Sequence, residues 1–120
     1  MPTLFSFRVG ARAERAAARY LRRLGHTIVE RNARLGQGEI DIVSTHRDVV
    51  VLTEVRYRSE GIAWAADSVG RTKTAAMVQA ARQYIRRERL RGAPIRIDLI
   101  LATRLGRRFE LTHIQSFCEI

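Results

Sequence analysis

The sequence predicts one α/β domain in which two helices flank a mixed sheet. Apolar residues recur with helical spacing over residues 8–24, and again from about residue 69 to about residue 90. Each stretch is followed by a pair of apolar, β-branched segments joined by a turn. The order helix, hairpin, helix, hairpin favours helices packed on a sheet. A chain of 120 residues suits a single domain over positions 1–120.

The first predicted helix carries an apolar face and, opposite to it, a stripe of arginines. The stripe consists of Arg8, Arg12, Arg15, Arg19 and Arg22, at alternating spacings of four and three. Charges of one sign lack the i to i+4 pairs that mixed charges form. The stripe is therefore compatible with a surface that faces phosphates, and also with an ordinary solvated helix face. Glu14 lies at the edge of the apolar face.

Turn residues and period-two alternation predict the strands. Residues 27–29 are predicted to add an edge strand, and longer strands are predicted over residues 39–44, 49–58, 95–102 and 109–115. The first two long strands form an antiparallel hairpin around a turn at residues 45–48. In residues 39–44 the alternation places Ile40 and Ile42 on one face and Asp41 on the other.

The charge balance points to a polyanionic partner. The chain has 22 Lys and Arg residues against 12 Asp and Glu residues, a formal net charge of +10, and Lys73 is its only lysine. Such a basic domain favours DNA, RNA or an anionic membrane surface, although an arginine-favouring genome gives the same composition. With Cys118 as the only cysteine, no intrachain disulfide can form. The lack of an apolar run of about 20 residues predicts a cytoplasmic protein that does not act at a membrane.

Two carboxylates in the predicted hairpin suggest a cation site. Asp41 lies within an otherwise apolar strand, and Glu54 lies near the end of the neighbouring strand. If the turn centres near Arg47, the two are direct or diagonal neighbours, about 5 Å or about 7 to 8 Å apart. Carboxylates that close repel each other, and burial makes ionisation costlier, whereas Mg²⁺ relieves both problems. The alternative is a structural ion network between two strands.

Two further residues extend this pattern. Arg56 is two positions from Glu54 and therefore points to the same face of the strand. A cation there can hold an attacking water molecule or offset charge on a phosphate transition state. Glu14 is placed to complete the set if the first helix leans towards that end of the sheet.

Several segments that span most of the chain form one combined motif. They are Gly10-Ala11-Arg12-Ala13-Glu14, Arg31-Asn32-Ala33-Arg34, Gly38-Glu39-Ile40-Asp41-Ile42-Val43, Glu54-Val55-Arg56-Tyr57-Arg58 and Arg96-Ile97-Asp98-Leu99. In this combination the chain resembles the YraN-like family, small bacterial proteins of predicted endonuclease character in the PD-(D/E)xK, restriction-endonuclease-like superfamily. The resemblance implies a restriction-endonuclease-like α-β-β-α-β-β core.

The resemblance also implies roles for individual residues. Asp41 and Glu54 would bind the metal, with the Val55 carbonyl as a further ligand and Glu14 as an auxiliary ligand to metal or water. Glu39 would point its carboxylate to residues around the bound metal rather than to the metal itself, or to Arg34, and Asp98 would be structural.

One residue departs from the family's motif. Its strand reads Glu-Val-Lys, and Arg56 stands where that lysine would be. Arginine stabilises charge but stays protonated, so it cannot act as a general base. Lys73, early in the second helix, could supply the missing amine; the alternative is that it contacts phosphate or packs.

These observations predict hydrolysis of DNA phosphodiester bonds with Mg²⁺ or Mn²⁺, with branched DNA as one candidate substrate. The DNA backbone would be held by Arg12, Arg15, Arg19, Arg31, Arg34 and Arg58. The main alternative is a non-catalytic nucleic-acid-binding module on the same fold, which need not bind a divalent metal. A third is an interaction protein whose basic face meets an acidic protein. The sequence leaves the oligomeric state open; a homodimer is one candidate, by analogy with nucleases that cut both strands.

Overall fold

The elements follow one another as predicted in a computed structural model, which describes residues 4–36, 38–59 and 71–120. They are α1 (Leu4–Arg23), β1 (Thr27–Leu35), β2 (Gly38–His46), β3 (Val49–Ser59), α2 (Arg71–Arg87), β4 (Ile95–Leu105) and β5 (Arg108–Cys118). The edge strand predicted over residues 27–29 is confirmed, and it extends to nine residues. None of the described helices has the length and apolar character needed to cross a membrane.

The described strands form one sheet in the order β1-β2-β3-β4-β5. The pairs β1–β2, β2–β3 and β4–β5 are antiparallel, whereas β3 and β4 are parallel. A parallel pair needs a long crossover connection, and α2 lies in the connection between β3 and β4. The predicted α/β class, with a mixed sheet flanked by helices in the restriction-endonuclease-like order, is therefore confirmed.

The two helices pack on opposite faces of the sheet. Leu52 and Ile97 are neighbours on β3 and β4, and both contact the apolar side of α2. Val55 and Ile100, three positions further along, pack instead against α1. Because side chains alternate across a strand, positions three apart point to opposite faces. Burial of a side chain such as Leu21, which is 0% exposed, contributes roughly 1.5–3 kcal/mol and fixes α1 on the sheet.

The alternation predicted for β2 is wrong at Asp41. Ile40 packs on the α2 face, whereas Ile42 packs on the α1 face. The regular pairing of β2 with β3 runs from the turn as far as Ile42 and Thr53. Beyond it, the Val55 amide donates to Asp41 Oδ2 at 2.8 Å. A side-chain carboxylate thus stands where a main-chain carbonyl would continue the ladder, and Asp41 lies between the two strands.

A buried network around Asp98 ties β4 to β5. The Asp98 carboxylate, 0% exposed, accepts hydrogen bonds from Arg96 Nε at 2.9 Å, Arg96 Nη2 at 3.2 Å, His113 Nε2 at 2.7 Å and the Ser116 amide at 3.1 Å. Burial opposes ionisation, but these donors hold the pKa of Asp98 below its ordinary value. His113 Nδ1 lies 3.0 Å from the Tyr20 hydroxyl, which joins the network to α1. This arrangement agrees with the structural role predicted for Asp98.

Candidate metal centre

Three carboxylates meet where α1 crosses β2. Oxygen atoms of Glu14, Glu39 and Asp41 all lie within 4.8 Å of one another. We call these three residues the acidic cluster. Glu14 reaches it because the residues one turn further along α1, Ala17 and Ala18, are buried against the sheet, so Glu14 lies on the same side of the helix.

Asp41 is the member most tightly held by the fold. Its position is fixed by the hydrogen bond from the Val55 amide, and the Glu54 side chain lies within hydrogen-bonding reach of it. Burial raises the pKa of Asp41, although the Val55 amide and the charge of Arg56 act in the opposite direction. The structure therefore brings Asp41 and Glu54 together, as the hairpin register predicts.

In the absence of a cation, the surroundings of Glu14 favour the protonated form of its carboxyl group. Burial, the charge of Asp41 and a hydrogen bond with Asp41 raise the pKa of Glu14 to about 7. Clustered carboxylates of this kind are the hard oxygen ligands that Mg²⁺ and Mn²⁺ prefer. The residues present therefore fit a divalent cation, which would replace the proton and neutralise the repulsion between them.

Two arginines border the acidic cluster and compensate only part of its charge. Arg31 Nη2 lies 3.8 Å from Glu14 Oε2, and the Arg56 guanidinium acts electrostatically on Asp41. Arg31 Nε and Arg56 Nη1 are buried, and neither has a hydrogen-bond partner in the described part of the chain. A buried donor without an acceptor is costly, so these N–H groups suit an anion bound beside the cluster, such as a phosphate.

Asn32 is a site residue that sequence reasoning missed. Its backbone adopts the left-handed region, with φ of 53°, which asparagine tolerates better than most residues. With its amide nitrogen turned towards the carboxylates, it donates to Glu39 Oε1 at 2.8 Å and Glu14 Oε2 at 3.3 Å. Its amide oxygen would equally serve a cation. Asn32 belongs to the motif segment Arg31-Asn32-Ala33-Arg34, but no periodicity signals a left-handed residue inside a strand.

The structure places Glu39 within the acidic cluster. The motif suggests that this carboxylate contacts residues around the metal rather than the metal itself, or Arg34, its register partner on β1. Its oxygen lies within 4.8 Å of oxygens of Glu14 and Asp41, and the Asn32 amide lies between it and Glu14. Glu39 therefore belongs with the candidate ligands.

The remaining predicted residues are distributed over several parts of the fold. Lys73 lies in the first turn of α2, and its side chain is outside the described residues. Arg31 and Arg34 are on β1, and Arg58 is on β3, two residues beyond Arg56. The remaining three predicted arginines, Arg12, Arg15 and Arg19, line a groove beside α1 and are described below.

Neutralising Glu14 is expected to stabilise the metal-free protein at alkaline pH. The folded state holds the Glu14 proton up to about pH 7, whereas an unfolded glutamate loses it near pH 4.5. The stabilisation from this proton is therefore complete below pH 4.5 and is lost as the pH rises through 7. Relative to wild type, the free energy of unfolding of Glu14→Gln should therefore rise by about 1–2 kcal/mol from pH 5 to pH 8.

Urea unfolding in EDTA at both pH values measures this difference. Glu110→Gln, a change at an exposed residue of β5, is the matched control and should show no such dependence. Equal effects of Glu14→Gln at pH 5 and pH 8 would show that Glu14 is not held protonated in the folded state.

Comparisons with known proteins address the family. A model of the family described as "Uncharacterised protein family UPF0102" matches residues 13–102. A UPF0102 protein of Hahella chejuensis is 38% identical over 97 residues, covering 80% of this chain and 78% of the relative. A UPF0102 protein of Syntrophotalea carbinolica is 36% identical over 114 residues, covering 93% of this chain and 92% of the relative.

One solved structure has a weak similarity to this chain. The structure of SfsA from Pyrococcus furiosus in complex with Ca²⁺ matches 96% of this chain and 66% of that chain, with a TM-score of 0.35 and 12% identity. Similarity at that level has no bearing on function. The family match and the relatives together show that the chain belongs to UPF0102, the YraN-like family that its motifs indicate.

Proposed function

We propose that this chain is a metal-dependent nuclease that hydrolyses phosphodiester bonds in DNA. The observation that carries the proposal is the meeting of Glu14, Glu39 and Asp41 within 4.8 Å, beside the buried Nη1 of Arg56, for which the described residues provide no acceptor. Carboxylates alone are common on surfaces. Carboxylates beside a buried guanidinium N–H group provide ligands for a divalent cation and a hydrogen-bond donor for the phosphate bound to it.

The ligands would come from three elements. Asp41 and Glu54 would hold Mg²⁺ or Mn²⁺ with the Val55 carbonyl. Glu39 would be a further ligand, and Glu14 would bind the cation or its water. A bound cation of this kind supplies Lewis-acid stabilisation of charge on the phosphate and lowers the pKa of a coordinated water molecule.

The other residues would position the substrate and stabilise charge. Arg56, with its buried Nη1, would donate to a non-bridging phosphate oxygen and offset the charge that develops there. It stays protonated, so the proton of the attacking water must pass to another group. A carboxylate of the acidic cluster and Lys73 are the two candidates for that step.

Cleavage of end-labelled DNA tests the proposal. Linear, flapped and four-way-junction DNA are incubated with Mg²⁺, Mn²⁺ or EDTA, and wild type is compared with Glu54→Gln. We expect cutting that requires metal and disappears in Glu54→Gln, while the control Glu110→Gln cuts like wild type. Cutting that survives in EDTA, or in Glu54→Gln, would exclude this centre as its source.

A non-catalytic DNA-binding module is the second candidate, and Arg56 is the observation that favours it. An arginine in place of the motif lysine removes a potential base while keeping the positive charge. On this alternative, wild type binds all three DNAs in the same assay and cuts none of them with either metal.

A further inference from the structure

A groove lined by arginines runs between α1 and the turn that joins β4 to β5. It encloses about 800 Å³. Six arginines line it: Arg12, Arg15, Arg19, Arg23, Arg107 and Arg108. We call this the arginine groove. Residues far apart in sequence therefore form one cationic surface. Helix α1 provides one wall, and the start of β5 with the turn before it provides the other.

The positive charge in the groove is not balanced by acidic side chains. No aspartate or glutamate lines it, and none of its six arginines forms an ion pair within the described ranges. Six guanidinium groups along one groove repel one another, and this repulsion is relieved when an anion binds.

One arginine of the groove is already held in place. Arg12 Nη2 donates to the Arg107 carbonyl at 3.1 Å, and the Arg12 guanidinium lies over the Phe109 ring, 5.8 Å from its centroid. These contacts bind α1 to the β4–β5 turn. They also hold the Arg12 guanidinium in one orientation, so less side-chain entropy is lost when a ligand binds.

The length of the groove selects an extended polyanion. From Arg12 to Arg23 the helix rises about 16 Å, at 1.5 Å per residue. One strand of a duplex advances 3.4 Å along the axis per phosphate, so about five phosphates span that distance. A single inorganic phosphate would use only a small part of the groove. A nucleic-acid backbone is the polyanion whose charges recur along the whole length.

The arginine groove is separate from the acidic cluster. At about 100° per residue, Arg12, Arg15 and Arg19 lie roughly 100° to 160° around α1 from Glu14. The groove therefore opens on one flank of α1 and the acidic cluster lies at the other. A phosphate at the cluster cannot also contact the groove, so DNA must reach both by a second segment or by passing around the helix.

We infer that the arginine groove is a second nucleic-acid site, which anchors a DNA segment other than the one presented to the acidic cluster. This deepens the proposed function and rests on it only for what happens at the cluster. Three residues of the arginine stripe predicted from the sequence, Arg12, Arg15 and Arg19, thus act together with Arg23, Arg107 and Arg108. The arginine groove is a different surface from that of Arg31 and Arg34.

Equilibrium binding in EDTA tests the inference without any cleavage. The double variant Arg15→Gln with Arg19→Gln is compared with Arg82→Gln plus Arg86→Gln, two exposed α2 residues with the same spacing. Fluorescence anisotropy with 40-base-pair duplex should show about tenfold weaker binding for the groove variant. Its slope of log K against log salt should fall by about two, because each lost phosphate contact removes about 0.9. The α2 variant should change the affinity less than threefold.

Stoichiometry distinguishes two sites from one continuous surface. With ten-base-pair duplex and Ca²⁺ in place of EDTA, so that the acidic cluster holds a cation, wild type should bind two duplexes per chain and the groove variant one. One duplex per chain for both proteins would overturn the inference. The inference would also fail if the groove variant lost binding to phosphatidylserine vesicles but bound DNA like wild type. That result would assign the groove to a membrane surface.

Failure of this inference and failure of the proposed function are separable. If the groove variant binds DNA like wild type while Glu54→Gln loses cleavage, the second site is wrong and the nuclease stands. If the groove variant loses DNA affinity while wild type never cuts, the second site stands without the nuclease.

Discussion

Replacing Asp41 with asparagine is expected to lower metal-dependent cleavage by at least about 10³-fold, equivalent to about 4 kcal/mol of transition-state stabilisation. The asparagine oxygen can still accept a hydrogen bond from the Val55 amide, which donates at 2.8 Å in the wild type, so this link between β2 and β3 is preserved. What disappears is the negative charge that the cation needs. Loss of that charge also relieves repulsion with Glu14, so Asp41→Asn should fold at least as stably as the metal-free wild type.

Single-turnover cleavage rates in Mg²⁺, together with thermal melts, measure both parts of this prediction. Asp48→Asn is the matched control. It makes the same chemical change in the β2–β3 turn, at a left-handed residue with φ of 66° that asparagine also tolerates. A rate for Asp41→Asn within tenfold of wild type would remove Asp41 from the reaction.

Replacing Asp98 with alanine is expected to destabilise the protein by about 3–5 kcal/mol. The change removes the common acceptor of Arg96, His113 and Ser116, and it leaves a largely buried guanidinium without its carboxylate. Breaking one partner of a buried ion pair costs far more than the pair itself contributes, because the remaining charge stays desolvated.

Urea denaturation at pH 7 measures this loss, with Glu30→Ala as the comparison. Glu30 also pairs with an arginine, Arg87 at 2.8 Å, but both side chains are more than a third exposed. An exposed pair of this kind contributes at most about 1 kcal/mol. If Asp98→Ala were no more harmful than Glu30→Ala, burial would not govern the energetics of this network.

The parts of the fold that follow from local pattern were predictable. Both helices, the two hairpins and the proximity of Asp41 to Glu54 follow from the spacing of apolar residues and from the turn at Arg47 and Asp48. The end of regular pairing between β2 and β3 at Asp41 was not predictable, because it depends on a hydrogen bond from the Val55 main chain to a side chain. Periodicity carries no information about such a bond.

The surroundings of the site depend on contacts between distant parts of the chain. The hydrogen bond from Arg12 to the Arg107 carbonyl joins residues 95 positions apart, so the stripe on α1 gives no indication of its second wall. In the sequence-based prediction, Arg12 and Arg31 belong to one DNA-binding surface. The two arginines are separated by the rotation of α1 about its own axis, which turns Glu14 towards the acidic cluster and Arg12 away from it. That rotation is set by the packing of Ala17 and Leu21 on the sheet.

Titration of the protein with Mn²⁺ by isothermal calorimetry, for wild type and Asp41→Asn, tests most directly whether the acidic cluster binds a cation. We expect the wild type to bind Mn²⁺ with an affinity that rises with pH through about 7, because Glu14 must release its proton. Asp41→Asn should lose this binding. Equal Mn²⁺ binding by the two proteins, or none by wild type at millimolar Mn²⁺, would contradict the assignment of the acidic cluster as a metal centre.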